Sequence, residues 1–340
     1  MVLAAQIKSV SHFVPERVVS NNDFTQWMDT SDEWITERTG IKERRFVEEG
    51  VPTSALAAHA CLQALEKASM KAHEIDLIIA ATLSPDFYFP GIACQLQEKL
   101  GLGHVGALDI RAQCSGFVYG LNVADAFIRS GMARNILLVC AEVQSPVLEL
   151  SNRGRDMAVL FGDGAGAFVI SAAEEAELPT TQNSIRGVID SELGSDGSGA
   201  EVLCLKVPGT ANPGFFRETD FAEGTWHPKM DGRTVFKNAV GRMMEVAECV
   251  MRRNNLKPQD ISMLVPHQAN LRINEAVREK LSLSEEQVFN TIERYGNTTA
   301  ATIPICLSEA VAAGRLKAGD LVLTLAFGAG FTWGANLVRW

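Results

Sequence analysis

The chain has 340 residues, a formal net charge of −10, an apolar fraction of 46% and a charged fraction of 21%. These values predict a soluble globular protein with a core large enough for two domains, or for two halves of one domain. The acidic balance argues against general nucleic-acid binding, which requires a basic surface. Because no run of about eighteen apolar residues occurs, the sequence predicts no membrane span.

Neither a secretory signal nor a disulfide framework is predicted. The first residues, "MVLAAQIKSV", lack a basic segment followed by a long apolar one. The seven cysteines are odd in number, form no CxxC pair and show no zinc-like spacing with histidine. We therefore expect no metal site and a location in the reducing cytoplasm.

The predicted elements, taken in chain order, repeat themselves. Residues 64–86 read as a helix, a connector and a buried strand near Leu77–Ala81, and residues 248–270 have the same rhythm with a strand near Ile261–Val265. Two further pairs of similar segments follow in the same order: 95–102 with 276–283, and 128–139 with 311–325. Three matches at an offset of roughly 180 residues indicate duplicated α/β halves.

The apolar strands of these halves predict a layered fold. Strands such as "LIIAA" and "ILLVC" are apolar throughout, as expected of strands buried on both faces. We predict an α-β-α-β-α core, with halves at 1–175 and 176–340 joined through the polar stretch 172–185. The Gly- and Pro-rich region 194–232 predicts surface loops.

Cys114 is the first candidate for a functional residue. It lies in "RAQCSGF" (111–117), where a strand pattern gives way to a helix pattern, and its neighbours are polar or small. A cysteine at a helix N-terminus is expected to have a lowered pKa and a nucleophilic sulfur. The alternative is a buried structural thiol, as the apolar surroundings of Cys140 suggest for that residue.

The duplication connects Cys114 with two residues of the second half. Shifted by the repeat offset, Cys114 falls close to Asn297 in "RYGNTTAA", and the strand that ends at "TLSPD" corresponds to the one that leads to His267. We therefore expect the three residues to meet between the halves. Taken singly, His267 could be a strand-end histidine bonded to backbone, and Asn297 a turn residue.

This trio differs from the triad of a hydrolase. No carboxylate is evident that would orient His267 as a strong base, but a neutral imidazole and a carboxamide can both donate to one developing oxyanion. Such donors contribute about 3–4 kcal/mol each. The matching oxyanion is the enolate of a decarboxylating malonyl thioester beside an acyl-cysteine. The turn Gly328–Ala329–Gly330 adds backbone N–H groups that could, with the amide of Cys114, stabilise the acyl intermediate.

With these residues in place, the chain resembles β-ketoacyl-[acyl-carrier-protein] synthase III, the initiating condensing enzyme of dissociated fatty-acid synthesis, which has a thiolase-like fold. The resemblance covers nearly all of the chain. Six segments carry it: "DTSDEWITERTGIKERR" (29–45), "CSGF" (114–117), "FGDGAGA" (161–167), "VPHQANLRI" (265–273), "YGNTTAA" (295–301) and "FGAGFTWG" (327–334).

The resemblance implies a homodimer that works in two half-reactions. An acyl-CoA primer would acylate Cys114 and release CoA. Malonyl-acyl-carrier protein would then lose CO2 with the help of His267 and Asn297, and its carbanion equivalent would attack the acyl group. The implied product is a β-ketoacyl-carrier protein, and no metal or redox cofactor is implied.

The resemblance also implies binding residues. The positions that match CoA contacts are Trp34, Arg38, Arg155, Asn270 and Arg272. A basic patch for the acidic carrier protein would comprise Lys237, Arg272, Arg278 and Lys280. Phe89 matches an aromatic residue that reaches across the dimer to bound the primer pocket. Without the resemblance, Trp34 would be read as a packing aromatic and the cations as solvated surface.

Three positions depart from the family pattern. Ala329 replaces the middle glycine of a "GGG" loop, Arg233–Thr234 replaces an Asn-Glu pair, and the region 194–232 is longer. Two alternatives therefore stay open: a specialised homologue that condenses longer or unusual acyl groups, and a cysteine thioesterase or acyl-binding protein. The loop "AFGAG" carries no second cysteine of the kind that non-decarboxylating thiolases use, which favours decarboxylative chemistry.

Overall fold

The computed structural model describes residues 3–174 and 187–340. The elements of the first range, in chain order, are β1 Leu3–Phe13, β2 Val18–Ser20, α1 Asp32–Thr39, β3 Glu43–Arg45, α2 Thr53–Lys67, β4 Leu77–Ala81, α3 Ile92–Lys99, β5 Gly106–Ile110, α4 Gly116–Arg129, β6 Asn135–Glu142, α5 Arg155–Ala158 and β7 Gly164–Glu174. Those of the second range are β8 Gly187–Ser195, β9 Leu203–Cys204, α6 Glu218–Glu223, β10 Lys229–Met230, α7 Gly232–Arg253, β11 Met263–Pro266, α8 Leu271–Lys280, α9 Ile292–Tyr295, α10 Thr302–Ala312, β12 Leu321–Gly328 and β13 Thr332–Arg339.

Two large sheets share one strand order. The first is ordered β1-β7-β6-β4-β5 and the second β8-β13-β12-β11. The inner pairs β4–β6 and β11–β12 are parallel, and every other pair common to both sheets is antiparallel. Only β5 has no equivalent in the second sheet as described. The predicted duplication is confirmed by this shared topology.

The structure corrects the offset between the halves. Met263 begins β11 186 residues after Leu77 begins β4. Leu321 begins β12 186 residues after Asn135 begins β6. The estimate of roughly 180 came from helices α3 and α8, whose connections differ in length. The strand predicted near Ile261–Val265 accordingly runs from Met263 to Pro266.

The helices form three layers around the sheets. Helices α4 and α10 lie between the two sheets, and their apolar side chains, such as Phe117 and Ile303, join the largest buried cluster. Helices α2 and α3 cover the outer face of the first sheet, and α7 and α8 cover that of the second. All five residues of β4 are buried because helices pack on both of its faces. The predicted α-β-α-β-α arrangement is confirmed.

The region between the halves is described only in part. Residues 172–174 of the predicted linker belong to β7, whereas residues 175–185 lie outside the described ranges. The boundary between 1–175 and 176–340 thus stays a prediction. Region 194–232 holds the short elements β9, α6 and β10 between its loops. Across residues 3–174 and 187–340, no helix combines the length and apolarity needed to cross a bilayer.

Candidate active site

A cavity of about 320 Å³ is lined by residues of both halves and contains Cys114, His267 and Asn297. Trp34, Arg38 and Asn270 also line it, as does Gly328 at the end of β12. The structure therefore brings together the three residues that the repeat argument placed at the contact between the halves. Most of the remaining lining is apolar, which suits a site that excludes water from an acyl chain.

Cys114 lies in a short 3-10 turn, Gln113–Ser115, and α4 begins two residues later at Gly116. The matching turn of the second half, Thr299–Ala301, directly precedes α10, and the two turns pack against each other. Gln113 and Thr299 occupy equivalent positions and both have a positive φ, 44° and 52°. Left-handed backbone is uncommon outside glycine, so both turns hold strained residues.

The corrected offset changes the counterpart of Cys114. At 186 residues, Cys114 corresponds to Ala300 rather than to Asn297, which precedes Ala300 by three residues. The prediction that the two would be near neighbours holds because Asn297 leads directly into the turn that packs on the nucleophile's turn. The prediction of strict equivalence was wrong.

The expectation of a lowered thiol pKa was also wrong. Burial raises the pKa of Cys114 to about 12, and the nearby carboxyl of Glu142 raises it further, whereas bonds from the backbone N–H groups of Cys114 and Ala329 lower it. Desolvation of the thiolate therefore outweighs the favourable end of α4. In the ligand-free enzyme Cys114 is a thiol, and its deprotonation must be coupled to catalysis.

Glu142 is a site residue that sequence reasoning missed. It ends β6 and is fully buried, and burial raises the pKa of its carboxyl to about 7. The carboxylate accepts bonds from Ser84 Oγ at 2.7 Å, from Gln144 Nε2 at 3.1 Å and from the backbone of Leu83 and Ala300. It ties the loop after β4 to the turn beside Cys114. The available signal was a charged residue at the end of an apolar strand.

His267 is held from two sides. It follows β11 and its backbone N–H donates to Leu325 O at 2.7 Å. Its Nδ1 lies 2.7 Å from Thr302 Oγ1, while Nε2 is buried with no protein partner in the described ranges. Burial lowers the pKa of His267 to about 3, so the ring is neutral at neutral pH. Thr302, on the apolar helix α10, gave no sequence signal.

Asn297 is fixed by three bonds. Its backbone N–H donates to Leu160 O at 2.8 Å, and its carbonyl accepts from Gly162 N at 3.1 Å. The side-chain Oδ1 accepts from Thr299 N at 2.8 Å. Because the carbonyl side of the amide is engaged, the Nδ2 group is left to donate into the cavity.

The Gly-rich turn approaches Cys114 closely. A Cβ placed on Gly328 would lie 2.8 Å from the Cβ and 3.0 Å from the N of Cys114, so this position accepts only glycine without movement. The backbone N–H of Ala329 bonds to the sulfur of Cys114. The alanine substitution therefore preserves the donor. Gly330 follows in the connection to β13.

An aromatic ring flanked by cations stands at one side of the cavity. The guanidinium carbons of Arg38 and Arg155 lie 4.5 and 4.7 Å from the ring centroid of Trp34. Arg155 also donates to Asp29 O at 2.8 Å. Trp34 and Arg38 share one face of α1 because they are four residues apart. Such a group can stack on a heteroaromatic base and attract phosphates.

Asn270 joins α1 to α8 beside this group. Its Oδ1 accepts from Arg272 N at 2.9 Å and so caps α8, and its Nδ2 donates to Arg38 O at 2.9 Å. Arg272 itself is exposed and does not line the cavity; its guanidinium lies 6.0 Å from the ring centroid of Phe236. Lys237, the next residue along α7, is also exposed. Arg233 and Thr234 form the first turn of α7.

The structure does not gather all four cations of the expected docking patch. Lys237 and Arg272 adjoin Phe236, which lines the cavity. Arg278 bonds Glu275 at 2.7 Å and the carbonyl of Leu283, and 16% of its side chain is exposed. Lys280 is exposed about 12 Å farther along α8 than Arg272, at 1.5 Å per residue. One continuous patch was thus a wrong expectation, because the cations sit at opposite ends of a helix.

Phe89 does not line the cavity of its own chain. It is 79% exposed in the loop after β4. Its neighbour Tyr88 packs edge-on against Phe215 of the long region 194–232, with ring centroids 5.5 Å apart. That region also contributes Leu203 and Met230 to the cavity lining. The longer segment therefore contacts both the cavity and the loop that carries Phe89.

Two packed halves that share one strand order and enclose a central helical layer define the class of thiolase-like condensing enzymes. Family models for the 3-oxoacyl-[acyl-carrier-protein] synthase III and its C-terminal part match residues 108–197 and 251–340. The β-ketoacyl-[acyl-carrier-protein] synthase III of Helicobacter pylori is 44% identical over 339 residues, which are 99% of this chain and 98% of that protein. That of Caldanaerobacter subterraneus is 42% identical at the same coverage.

A solved structure agrees with the sequence relatives. The crystal structure of 3-oxoacyl-[acyl-carrier-protein] synthase III from Aquifex aeolicus superposes with a TM-score of 0.88 at 41% identity, covering 99% of this chain and 100% of that one. The chain belongs to the β-ketoacyl-[acyl-carrier-protein] synthase III family.

Proposed function

We propose that the protein condenses an acyl-CoA primer with malonyl-acyl-carrier protein, and so initiates type II fatty-acid synthesis. The observation that carries this function is the single cavity in which a cysteine of one half faces a histidine and an asparagine of the other. Family membership supplies the class of reaction, and the geometry supplies a role for each residue.

In the first half-reaction, the sulfur of Cys114 attacks the acyl carbonyl carbon and the bond to the CoA sulfur breaks. The backbone N–H groups of Cys114 and Ala329 converge on this sulfur and stabilise the oxyanion that forms beside it. The proton of the Cys114 thiol ends on the departing CoA sulfur. The ring of Trp34 with Arg38 and Arg155 would hold the adenine and phosphates of CoA.

In the second half-reaction, the thioester oxygen of the malonyl group lies between His267 and Asn297. The carboxylate leaves as CO2, and its bonding electrons form an enolate whose oxygen accepts from His267 Nε2–H and Asn297 Nδ2–H. The enolate carbon then attacks the acyl carbonyl, and the sulfur of Cys114 leaves. No step requires a metal or a redox cofactor.

Lys237 and Arg272 would attract the acidic carrier protein to the mouth of this cavity. Glutamate substitutions at these two positions should raise KM for malonyl-carrier protein with kcat little changed. Lys280→Glu is the matched control, because Lys280 lies at the far end of α8. Equal effects at all three positions would show that overall charge, not this site, governs docking.

A second copy of the chain would complete the primer pocket. Strand β5 forms an edge of the first sheet, and its residues Gly106 and Ala107 are exposed. The loop residues Phe87, Tyr88 and Phe89 are also exposed. We expect a homodimer in which Phe89 bounds the partner's acyl site. Sedimentation analysis of the wild type and of Phe89→Ser tests the assembly.

The function is tested with acyl-CoAs of graded length and malonyl-carrier protein. We expect β-ketoacyl-carrier protein from the wild type and no acyl-enzyme from Cys114→Ala, whereas Cys249→Ala, outside this cavity, should keep activity. Release of free fatty acid without a ketoacyl product would instead identify a thioesterase. A strong preference for long or unusual primers would identify a specialised homologue. A reduced Cys114 requires a reducing compartment such as the cytoplasm, which localisation of the tagged protein tests.

A further inference from the structure

His267 and Asn297 are both oriented by one residue, Thr299. Its N–H donates to the side chain of Asn297 at 2.8 Å. Its carbonyl accepts from Thr302 Oγ1 at 3.0 Å, and the same oxygen lies 2.7 Å from Nδ1 of His267. A chain of hydrogen bonds thus runs from the imidazole through Thr302 to the backbone that holds the carboxamide.

The direction of this chain determines the tautomer of His267. A threonine hydroxyl has one proton to donate, whereas a carbonyl only accepts. When Thr302 donates to Thr299 O, the Nδ1 of His267 must donate to Thr302. The neutral ring then carries its proton on Nδ1 and presents a lone pair at Nε2, the nitrogen without a protein partner in the ranges described.

The two half-reactions need opposite states of Nε2. A lone pair at Nε2 can take the proton of the buried Cys114 thiol and pass it to the departing CoA sulfur. The enolate of the second half-reaction instead requires an N–H at Nε2. Rotation of the Thr302 hydroxyl from Thr299 O toward Nδ1 would support that second tautomer, because the oxygen is already within hydrogen-bond distance of both groups.

We propose that Thr302 is a positioning residue whose hydroxyl, by turning between the Thr299 carbonyl and His267 Nδ1, sets which ring nitrogen carries the proton in each half-reaction. This inference rests on the proposed function. The resting enzyme has the proton on Nδ1. Thr302 touches neither substrate and acts only through His267.

The test compares Thr302→Val, which keeps the shape but removes the hydroxyl, with Thr302→Ser, which keeps the hydroxyl. The valine variant should slow self-acylation and malonyl decarboxylation by roughly tenfold each, as loss of a buried hydrogen-bond partner predicts. The serine variant should restore both rates. Thr298→Val is the matched control, because the buried Oγ1 of Thr298 has no partner in the described part of the chain.

Nitrogen-15 spectra of histidine-labelled protein provide the readout that a purely structural role would not move. We expect a protonated Nδ1 and an unprotonated Nε2 for His267 in the resting wild type, and a loss of this preference in Thr302→Val. A proton on Nε2 at rest, or wild-type rates in the valine variant, would overturn the proposal. If the valine variant does not fold, the wild-type spectrum and the serine variant still decide. A missing ketoacyl product in the wild type would contradict the proposed function alone, since self-acylation and the spectra are measured without malonyl-carrier protein.

Discussion

Replacing Gly328 with alanine tests the fit between the Gly-rich turn and the nucleophile. The added Cβ would lie 2.8 Å from the Cβ of Cys114, and ordinary contacts begin at 3.4 Å, so one of the two segments must move by about 0.6 Å. Such overpacking costs about 1–3 kcal/mol of stability. Misplacement of a reacting group by about 1 Å can slow a reaction 10²-fold. We therefore expect self-acylation to slow by about tenfold or more.

The assay follows acylation of Cys114 by mass spectrometry after rapid mixing with acyl-CoA, alongside thermal unfolding. Gly241→Ala is the matched control, because no atom lies within 4 Å of the Cβ it would add on α7. That substitution should leave acylation unchanged and stabilise the helix by about 0.5–1 kcal/mol. Acylation of Gly328→Ala at the wild-type rate, with an unchanged unfolding temperature, would refute the close approach on which the oxyanion role of the turn depends.

Three further predictions address the cavity. Asn297→Ala should slow malonyl decarboxylation by roughly 10²–10³-fold because it removes one oxyanion donor, while self-acylation stays within a few-fold; equal losses in the separate half-reaction assays would contradict this role. Trp34→Ala should raise KM for acyl-CoA by roughly tenfold with kcat unchanged, since it removes the stacking surface near Arg38 and Arg155; steady-state kinetics showing a fall in kcat alone would count against it. Burial lowers the pKa of His267 to about 3 in the folded chain, against about 6.5 when unfolded, so its NMR signals should not titrate between about pH 8 and pH 5. Because the folded state then binds fewer protons between these two pKa values, this residue makes the free energy of unfolding rise with pH through that window, and a titration near 6.5 in the folded protein would exclude its burial.

The sequence determined the architecture and the identity of the reacting residues. Continuous apolar strands such as Leu77–Ala81 were recognisable because burial on both faces leaves no polar alternation. The repeat of these strands placed Cys114, His267 and Asn297 at one contact between the halves. Local patterns and their repetition sufficed because each depends on neighbours along the chain.

Only the tertiary structure decided the electrostatics of the site. The pKa of Cys114 is raised rather than lowered, because desolvation sums over atoms from many distant segments and outweighs the local helix end. The partners of His267 and Glu142 come from residues 35 and 58–60 positions away, Thr302 and the Thr82–Ser84 loop, and neither separation has a sequence signature. Arg278 likewise counts as a free cation in the sequence, yet folding pairs it with Glu275. Which groups reach the site is visible along the chain, but their protonation and orientation depend on burial and on contacts that exist only once the two halves are packed.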